Sequence, residues 1–242
     1  MTSRFFVTGT DTDVGKTFIS CALLKKAKLM GLNTLALKPV AAGCELTEHG
    51  LRNDDAVRLQ AAATIKIGYE QVNPVALKAA VAPHLAAQAE QRSLQLQRLV
   101  GFCRGAMSPA PKQPRCDLCL IEGAGGWRVP LNATHTMAHL AVALQLPVIV
   151  VVAVKLGCLN HALLTVEAIR RDGLQVAGWV ANLIDSEMPE LEGNLTTLEQ
   201  QLGAPCLGRV FELTGSDDAN LAQAASCLDL TLLGLAAADK AS

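Results

Sequence analysis

Short apolar runs alternate along the chain with longer segments whose apolar residues recur at helical spacing. The runs lack the two-residue alternation of a half-exposed strand, which predicts strands buried on both faces. The predicted strands are Phe5–Thr8, Thr34–Lys38, Leu118–Ile121, Val148–Ala153 and Ala177–Ala181. The predicted helices are Thr17–Leu29, Met137–Leu144 and Ala162–Arg171, with Gly31 and Gly173 placed to end two of them.

This alternation predicts an α/β fold with a mostly parallel central sheet and helices on both faces. Right-handed crossovers would bring the carboxyl ends of all strands to one edge, where ligands bind in such folds. No repeat or linker divides the 242 residues, so we expect a single domain over 1–242. We expect Ser108–Arg115, which is rich in proline, to be a surface loop, and 236–242 to be a frayed tail.

Composition narrows the class of partner. A net charge of −1 gives no electrostatic footprint for nucleic acid or an anionic membrane, and only 3% of residues are aromatic. The longest strongly apolar run, Leu146–Val154, is too short to span a bilayer. We therefore expect small-molecule partners, with no nucleic acid and no membrane.

The cysteines and the N-terminus bear on the compartment. The first residues, MTSRFFVTGTD, lack the apolar region of a secretory signal, so we expect a cytoplasmic protein with reduced thiols. Cys116 and Cys119 have the spacing of a metal pair, but no second pair completes a site. We interpret them as one loop thiol and one strand thiol.

The strongest local motif is Gly9–Thr17, GTDTDVGKT, which follows the first strand and opens a helix. Backbone N–H groups of such a loop bind phosphate oxygens, Lys16 would reach the β- and γ-phosphates, and the Thr17 hydroxyl would bind Mg²⁺. Five residues rather than four separate Gly9 from Gly15. The alternative is a glycine turn with an exposed lysine. The coincidence of strand, GKT and helix favours a P-loop NTPase-like fold.

Carboxylates for the metal come from two places. Glu122 ends a predicted strand and is followed by Gly-Ala-Gly-Gly, where P-loop enzymes normally carry an aspartate ligand. Asp54 and Asp55 offer a further ligand, or else Asn53 or Asp54 is simply a helix N-cap.

Taken together, six segments resemble the dethiobiotin synthetase family. They are GTDTDVGKT at 9–17, KPVAAG at 38–43, GLRNDDA at 50–56, EGAGGWRVPL at 122–131, VKLGCLNHALLT at 154–165 and AGWVAN at 177–182. GKT alone is common, whereas EGAGGW followed by KLGCLNH is far more restrictive. The resemblance runs from about Arg4 to Leu213.

The resemblance implies an ATP- and Mg²⁺-dependent ligase that closes the ureido ring of dethiobiotin from 7,8-diaminononanoate and CO₂ or bicarbonate. In that family one amine captures CO₂ as a carbamate, ATP converts the carbamate to a carbamic–phosphoric anhydride, and the second amine closes the ring. ADP and phosphate are released. The family works as a homodimer with the active site at the interface.

The resemblance also implies site residues. Lys16 and Lys38 would be catalytic, and Thr17, Asp55 and Glu122 would bind Mg²⁺. The nucleotide would contact Asp13, Val14, Gly15, Lys16, Thr17, Phe18, Asp55, Glu122, Gly123, Ala124, Gly125, Asn182, Leu183, Phe211, Glu212 and Leu213. Thr12, Ala42, Lys155, Gly157, Cys158, Leu159 and Asn160 would contact the diamino acid, the last four at a helix N-terminus supplied across the dimer interface. His161, on the same helix, is given no catalytic role.

Three positions depart from the family pattern. Ala42 stands where Ser or Thr is common, Leu183 replaces an acidic residue, and Phe211 replaces a frequent Pro. The first bears on the diamine, and the other two on the adenine contacts.

Rival classes fit less well. The cobyrinate amidases carry an added glutaminase domain, for which the chain after Leu213 is too short. Partitioning and septum-positioning ATPases place a lysine five residues before the P-loop lysine, where this chain has Asp11. The string Asn182–Asp185 lacks the lysine of the GTPase NKxD motif.

Overall fold

A six-stranded parallel sheet forms the centre of the protein in the computed structural model, which describes residues 2–108, 111, 113–185, 187–211 and 217–238. The strand order is β10-β9-β8-β1-β7-β2. These strands are β1 (Ser3–Gly9), β2 (Thr34–Leu37), β7 (Leu118–Gly126), β8 (Val148–Val154), β9 (Val176–Leu183) and β10 (Cys206–Val210). Two small two-stranded sheets lie in the 40–76 region: β3 (Val40–Ala41) with β6 (Val75–Ala76), and β4 (Glu45–Thr47) with β5 (Gly50–Arg52).

Helices cover both faces of the sheet, so two separate apolar clusters form. The helices are α1 (Lys16–Leu29), α2 (Asp54–Ala62), α3 (Tyr69–Val72), α4 (Pro83–Ala89), α5 (Leu96–Ala106), α6 (Met137–Leu144), α7 (Cys158–Arg171), α8 (Leu191–Gln201) and α9 (Asp217–Ser226), with a 3₁₀ turn at Thr231–Leu233. Every residue of β8 is buried, as expected for a central parallel strand with helices above and below. The predicted α/β fold is confirmed.

Two predicted boundaries shift by more than two residues. Strand β7 does not end before Glu122 but continues to Gly126, because it keeps pairing with β1 past an irregularity between Val7 and Gly9. Helix α7 begins at Cys158 rather than at Ala162. Gly31 and Gly173 do follow helix ends, with φ of 79° and 82°, in the left-handed region that favours glycine.

The structure describes the predicted surface loop and the predicted frayed tail only in part. In the proline-rich segment the described residues Ser108, Pro111 and 113–115 are exposed, and 109, 110 and 112 lie outside the described residues. In the tail, the Ala238 N–H donates to the Met30 carbonyl at 2.9 Å, and 239–242 lie outside the described residues.

The cysteines are all free thiols. Cys116 precedes β7 and Cys119 lies within it, as interpreted from the sequence. Burial raises the pKa of Cys103 to about 12 and that of Cys116 to about 11, so both stay protonated at neutral pH. Within the described ranges, no helix combines the length and hydropathy needed to cross a membrane.

Candidate active site

A cleft of about 750 Å³ lies where β1, β2 and β7 end. Three kinds of wall enclose it. The P-loop and the start of α1 form one, the acidic start of α2 forms the second, and a small apolar wall of Ala41, Ala42, Ala80, Val81 and Val129 forms the third. One end of the cleft is therefore charged and the other apolar.

The P-loop turns sharply between β1 and α1. A Cβ on Gly9 would overlap the Val14 side chain, and Gly15 has a φ of 83° with the Asn182 amide packed against it. Gly15 caps α1 with no side-chain hydrogen bond, so among the described residues no side chain caps the first-turn N–H groups of α1. Such a helix end, with its positive partial charge, fits an anion.

Lys16 lies beside these N–H groups, and its ammonium donates to the Asp11 carbonyl at 3.1 Å. Burial lowers the pKa of Lys16, and the nearby charge of Lys38 lowers it further. Among the described residues no carboxylate lies within ion-pair distance of this buried cation, so it is incompletely neutralised. A phosphate group bound here would supply the missing negative charge.

Behind the P-loop lies the ion cluster, which we define as Thr17, Lys38, Asp55 and Glu122. The Lys38 ammonium donates to Glu122 Oε1 at 2.6 Å and to Asp55 Oδ2 at 2.9 Å. Thr17 Oγ1 donates to the same Glu122 oxygen at 2.7 Å. The side chains of Lys38 and Glu122 are 5% and 0% exposed, whereas Asp55 is 42% exposed and faces the cleft.

The charges in this cluster stabilise one another. Burial alone would lower the pKa of Lys38, but the negative charges of Glu122 and Asp55 outweigh it, so the pKa is raised. Burial opposes ionisation of Asp55, yet the charge and hydrogen bond of Lys38 outweigh burial, so the pKa of Asp55 is lowered. Lys38 and Asp55 are therefore both ionised at neutral pH.

Local structure explains why Asp55 is free for this role. Asn53 is the N-cap of α2, since its side chain accepts from the Ala56 N–H at 3.3 Å. Asp54 and Asp55 are therefore first-turn residues rather than caps. Of the residues that the sequence offered as the N-cap of this helix, Asn53 is the one that caps it.

Comparison with known proteins identifies the family. A family model described as an AAA domain matches residues 3–220. A relative named ATP-dependent dethiobiotin synthetase BioD, from Cellvibrio japonicus, is 59% identical over 230 residues, which cover 95% of this chain and 96% of the relative. Proteins of the same name from Marinobacter nauticus and Pseudomonas paraeruginosa are 54% and 52% identical, over 90% and 96% of this chain and 91% and 98% of their own lengths.

The chain belongs to the ATP-dependent dethiobiotin synthetase family. It is thus an ATP-using enzyme of biotin synthesis. Solved structures agree on the fold alone. A ParA family ATPase from Chlorobium tepidum has a TM-score of 0.53 at 12% identity, covering 96% of this chain and 93% of that one. The septum site-determining protein MinD from Pyrococcus horikoshii has a TM-score of 0.52 at 19% identity, covering 92% and 86%.

Most residues that the family resemblance points to come together in this cleft. Its lining includes Thr12, Asp13, Gly15, Lys16, Thr17, Phe18, Lys38, Ala42, Asp55, Ala124 and Gly125. Val14 and Glu122 are buried against it, and Gly123 contributes a carbonyl 3.3 Å from the Lys38 ammonium. Asn182 Nδ2 donates to the Val14 carbonyl at 3.0 Å, which ties β9 to the P-loop.

The other predicted residues that the structure describes lie apart from the cleft lining. Lys155 and Gly157 are exposed at the carboxyl end of β8, and Cys158, Leu159 and Asn160 begin α7. The Leu183 side chain is buried in the core, so only its backbone can face a nucleotide. Phe211 is exposed, and Glu212 and Leu213 lie outside the described residues.

Most of the apolar wall was not predicted, nor were two polar residues of the site region. Arg58, on α2, lines the cleft and pairs at 3.9 and 4.0 Å with Asp54 and Asp217. Ser20, on α1, donates to Glu122 Oε2 at 2.8 Å. The Asp55–Arg58 spacing on one helix face could have indicated Arg58, but no sequence signal links Ser20 to a residue 102 positions away.

Proposed function

We propose that this chain closes the ureido ring of dethiobiotin from 7,8-diaminononanoate, CO₂ and ATP. The observation that carries the proposal is the position of the Lys38 ammonium, 2.6 and 2.9 Å from Glu122 and Asp55, in the same cleft as the P-loop lysine. A second cation beyond the P-loop lysine suits a reaction in which two anions must meet. The carbamate and the γ-phosphate are those anions.

The chemistry proceeds in three steps. One amine of the substrate attacks CO₂ and loses a proton, which gives a carbamate. A carbamate oxygen then attacks the γ-phosphorus, and ADP leaves with the electron pair of the broken P–O bond. The second amine attacks the carbonyl carbon of this mixed anhydride, phosphate departs with the carbamate oxygen, and loss of a proton leaves the cyclic urea.

The chain's residues divide these tasks. Lys16 and the first N–H groups of α1 bind the β- and γ-phosphates, and Lys38 offsets the charge on the carbamate and the transferring phosphoryl group. Because phosphoryl transfer needs little covalent help, fixed cations and alignment supply most of the catalysis. Burial keeps water away from the reacting groups and strengthens each charge interaction.

The donor set of the cluster fits Mg²⁺. A threonine hydroxyl and two carboxylates, from Thr17, Asp55 and Glu122, are the hard oxygen ligands that this ion prefers. The two carboxylates already stabilise one cation, the Lys38 ammonium. When bound, Mg²⁺ would neutralise charge on the β- and γ-phosphates.

We propose that Asn182 binds the adenine. Its side-chain amide has two N–H bonds, and donating one to Val14 leaves the other and the carbonyl oxygen for the donor and acceptor on the adenine edge. We also propose nucleotide contacts for the exposed ring of Phe211, the backbone at Leu183, Glu212 and Leu213. Gly123, Ala124 and Gly125 face the phosphates from β7.

The diamino acid would lie between Thr12, Ala42 and the apolar wall, with its carboxylate at the start of α7. Lys155 and the N–H groups of Gly157–Asn160 suit a carboxylate, because α7 has no side-chain N-cap. These residues do not line the cleft of their own chain, which supports a homodimer in which the partner subunit supplies them. The exposed side chains of Leu156 and Leu164 offer apolar contact for such a dimer.

Omission of single reactants tests the proposal. With ATP, Mg²⁺, bicarbonate and diaminononanoate present, we expect phosphate and dethiobiotin to form in equal amounts. Leaving out any one of them should abolish both. Phosphate release that does not need the diamine would contradict the proposed reaction.

Leu164→Glu tests the dimer. The side chain is 57% exposed on α7, so a charge there should not unfold a subunit but should prevent association through this helix. We expect a monomer by light scattering and a KM for the diamine raised at least about 10-fold, since truncating an interface anchor costs at least ~1–2 kcal/mol. Leu29→Glu, 71% exposed on α1, is the matched control and should stay dimeric. A Leu164→Glu protein that remains a dimer would exclude α7 from the interface.

Ala42→Ser tests the diamine side of the cleft. Ala42 lines the cleft, and its carbonyl is held by Asn53 Nδ2 at 3.2 Å, so its side chain has a fixed direction. A hydroxyl here should lower the KM for the diamine by roughly 2- to 10-fold, the equivalent of one hydrogen bond of ~0.5–1.5 kcal/mol. The KM for ATP should not change. If steady-state kinetics give an unchanged diamine KM, Ala42 does not contact this substrate.

A further inference from the structure

Ser20 is a completely buried polar residue next to the ion cluster. It lies on α1 three residues after Thr17, so both side chains share one face of the helix. Its exposed fraction is 0%, and it does not line the cleft, so it does not touch a bound substrate. Its hydroxyl donates to Glu122 Oε2 at 2.8 Å.

The two oxygens of Glu122 have different partners. Oε2 accepts from Ser20, whereas Oε1 accepts from both Thr17 and Lys38, at 2.7 and 2.6 Å. The bond from Ser20 therefore determines which oxygen is directed toward the rest of the cluster. The orientation of the carboxylate therefore depends on its hydrogen-bond partners and not on Glu122 alone.

A glutamate at this position needs such a restraint. P-loop enzymes normally use aspartate here, and glutamate has one more methylene and thus one more rotatable bond. Its last torsion is broad, so the chain itself fixes the carboxylate plane only weakly. A donor on the far oxygen removes that freedom.

We propose that Ser20 is a positioning residue that sets the affinity of the site for Mg²⁺. By holding Oε2, it keeps Oε1 directed toward Thr17 and Asp55, where the ion would bind. The inference rests on the proposed function in one respect, that Glu122 is a metal ligand.

Ser20→Ala removes the hydroxyl and leaves Oε2 buried without this donor. The carboxylate is then free to rotate, and rotation weakens it as a ligand. Loss of a residue that orients a metal ligand typically lowers metal affinity by about 10- to 100-fold. Nucleotide binding without metal should stay within about 3-fold of wild type, because the P-loop contacts are unchanged.

The experiment measures binding of the fluorescent, non-hydrolysable nucleotide mant-AMPPNP, first in EDTA and then as Mg²⁺ is titrated. We expect Ser20→Ala to bind normally in EDTA and to require about 10- to 100-fold more Mg²⁺ for the metal-dependent increase. Ser20→Cys keeps the volume and a weak donor, so its Mg²⁺ midpoint should fall between those of wild type and Ser20→Ala. This second variant decides the matter if Ser20→Ala does not fold.

Two control variants are needed, one for a general loss of stability and one for the assignment of the metal ligand. Thr34→Val also removes a completely buried hydroxyl, at the start of β2. This hydroxyl accepts a hydrogen bond from the Thr64 N–H at 3.0 Å. The substitution should lower stability without moving the Mg²⁺ midpoint. Glu122→Gln tests the underlying metal assignment and should move the midpoint at least as far as Ser20→Ala. An unmoved midpoint in Glu122→Gln would overturn the metal assignment itself.

If Glu122→Gln moves the midpoint and both Ser20 variants do not, Ser20 is only a packing residue and the inference is wrong. The inference would also be wrong if the Ser20 variants lost nucleotide affinity equally with and without Mg²⁺ and lost as much stability as Thr34→Val. Such a result would indicate a general loss of stability.

Discussion

Lys38→Gln is expected to reduce dethiobiotin formation by about 10²- to 10³-fold, the usual effect of removing a group aimed at charge that develops in a transition state. The amide can still donate to Glu122, but it cannot offset the charges of the carbamate and the phosphoryl group. The measurement is the initial rate of dethiobiotin formation at saturating ATP, Mg²⁺ and diamine. The nucleotide affinity should stay near that of wild type, because Lys38 approaches the site from β2 and not from the P-loop.

The same substitution should also destabilise the nucleotide-free protein by about 1–3 kcal/mol, since Glu122 loses its only close cation among the described residues. Lys28→Gln, an exposed lysine on α1, is the control and should affect neither rate nor stability. Near-wild-type turnover by Lys38→Gln would remove Lys38 from the mechanism.

Lys16→Gln is expected to weaken ATP binding by about 10- to 100-fold, because charge-assisted bonds to phosphate contribute about 1.5–3 kcal/mol. It should also lower the rate of phosphate release at saturating ATP by a further ~10²-fold, because the lysine also stabilises the transferring group. Equilibrium binding of mant-AMPPNP and single-turnover phosphate release separate the two effects.

The difference between the two lysines is diagnostic. Lys16→Gln should reduce both affinity and rate, whereas Lys38→Gln should reduce the rate alone. If Lys16→Gln kept normal ATP affinity, the loop from Gly9 to Thr17 would not be the phosphate site.

The sequence was most informative where structure is local. Strand β1, the P-loop and α1 are adjacent in the chain, and glycine geometry with a GKT motif is enough to predict them. Met137–Leu144 was predicted to the residue, because its apolar spacing is regular and Gln145 ends it in a left-handed conformation. Lys38 follows β2 and Asp55 lies in the first turn of α2, but Glu122 lies within β7, so it was the family resemblance that gathered all three into one site.

Predictions failed where tertiary contacts decide. Helices α3 and α4 are only 4 and 7 residues long, too short for a helical period to be visible. Strand β10 is a partly exposed edge strand with Gly208 inside it, so it has no clear apolar run. The length of β7 depends on its pairing with β1, and the role of Ser20 depends on which Glu122 oxygen faces it.

The central claim is that the P-loop and the ion cluster together hold ATP beside a carbamate, so that a carbamate oxygen is transferred to phosphorus. Rapid-quench turnover with C¹⁸O₂, before the label exchanges with water, tests this directly through the mass of the released phosphate. The account predicts one ¹⁸O atom in phosphate for each dethiobiotin formed. Phosphate without ¹⁸O, alongside normal dethiobiotin formation, would contradict it.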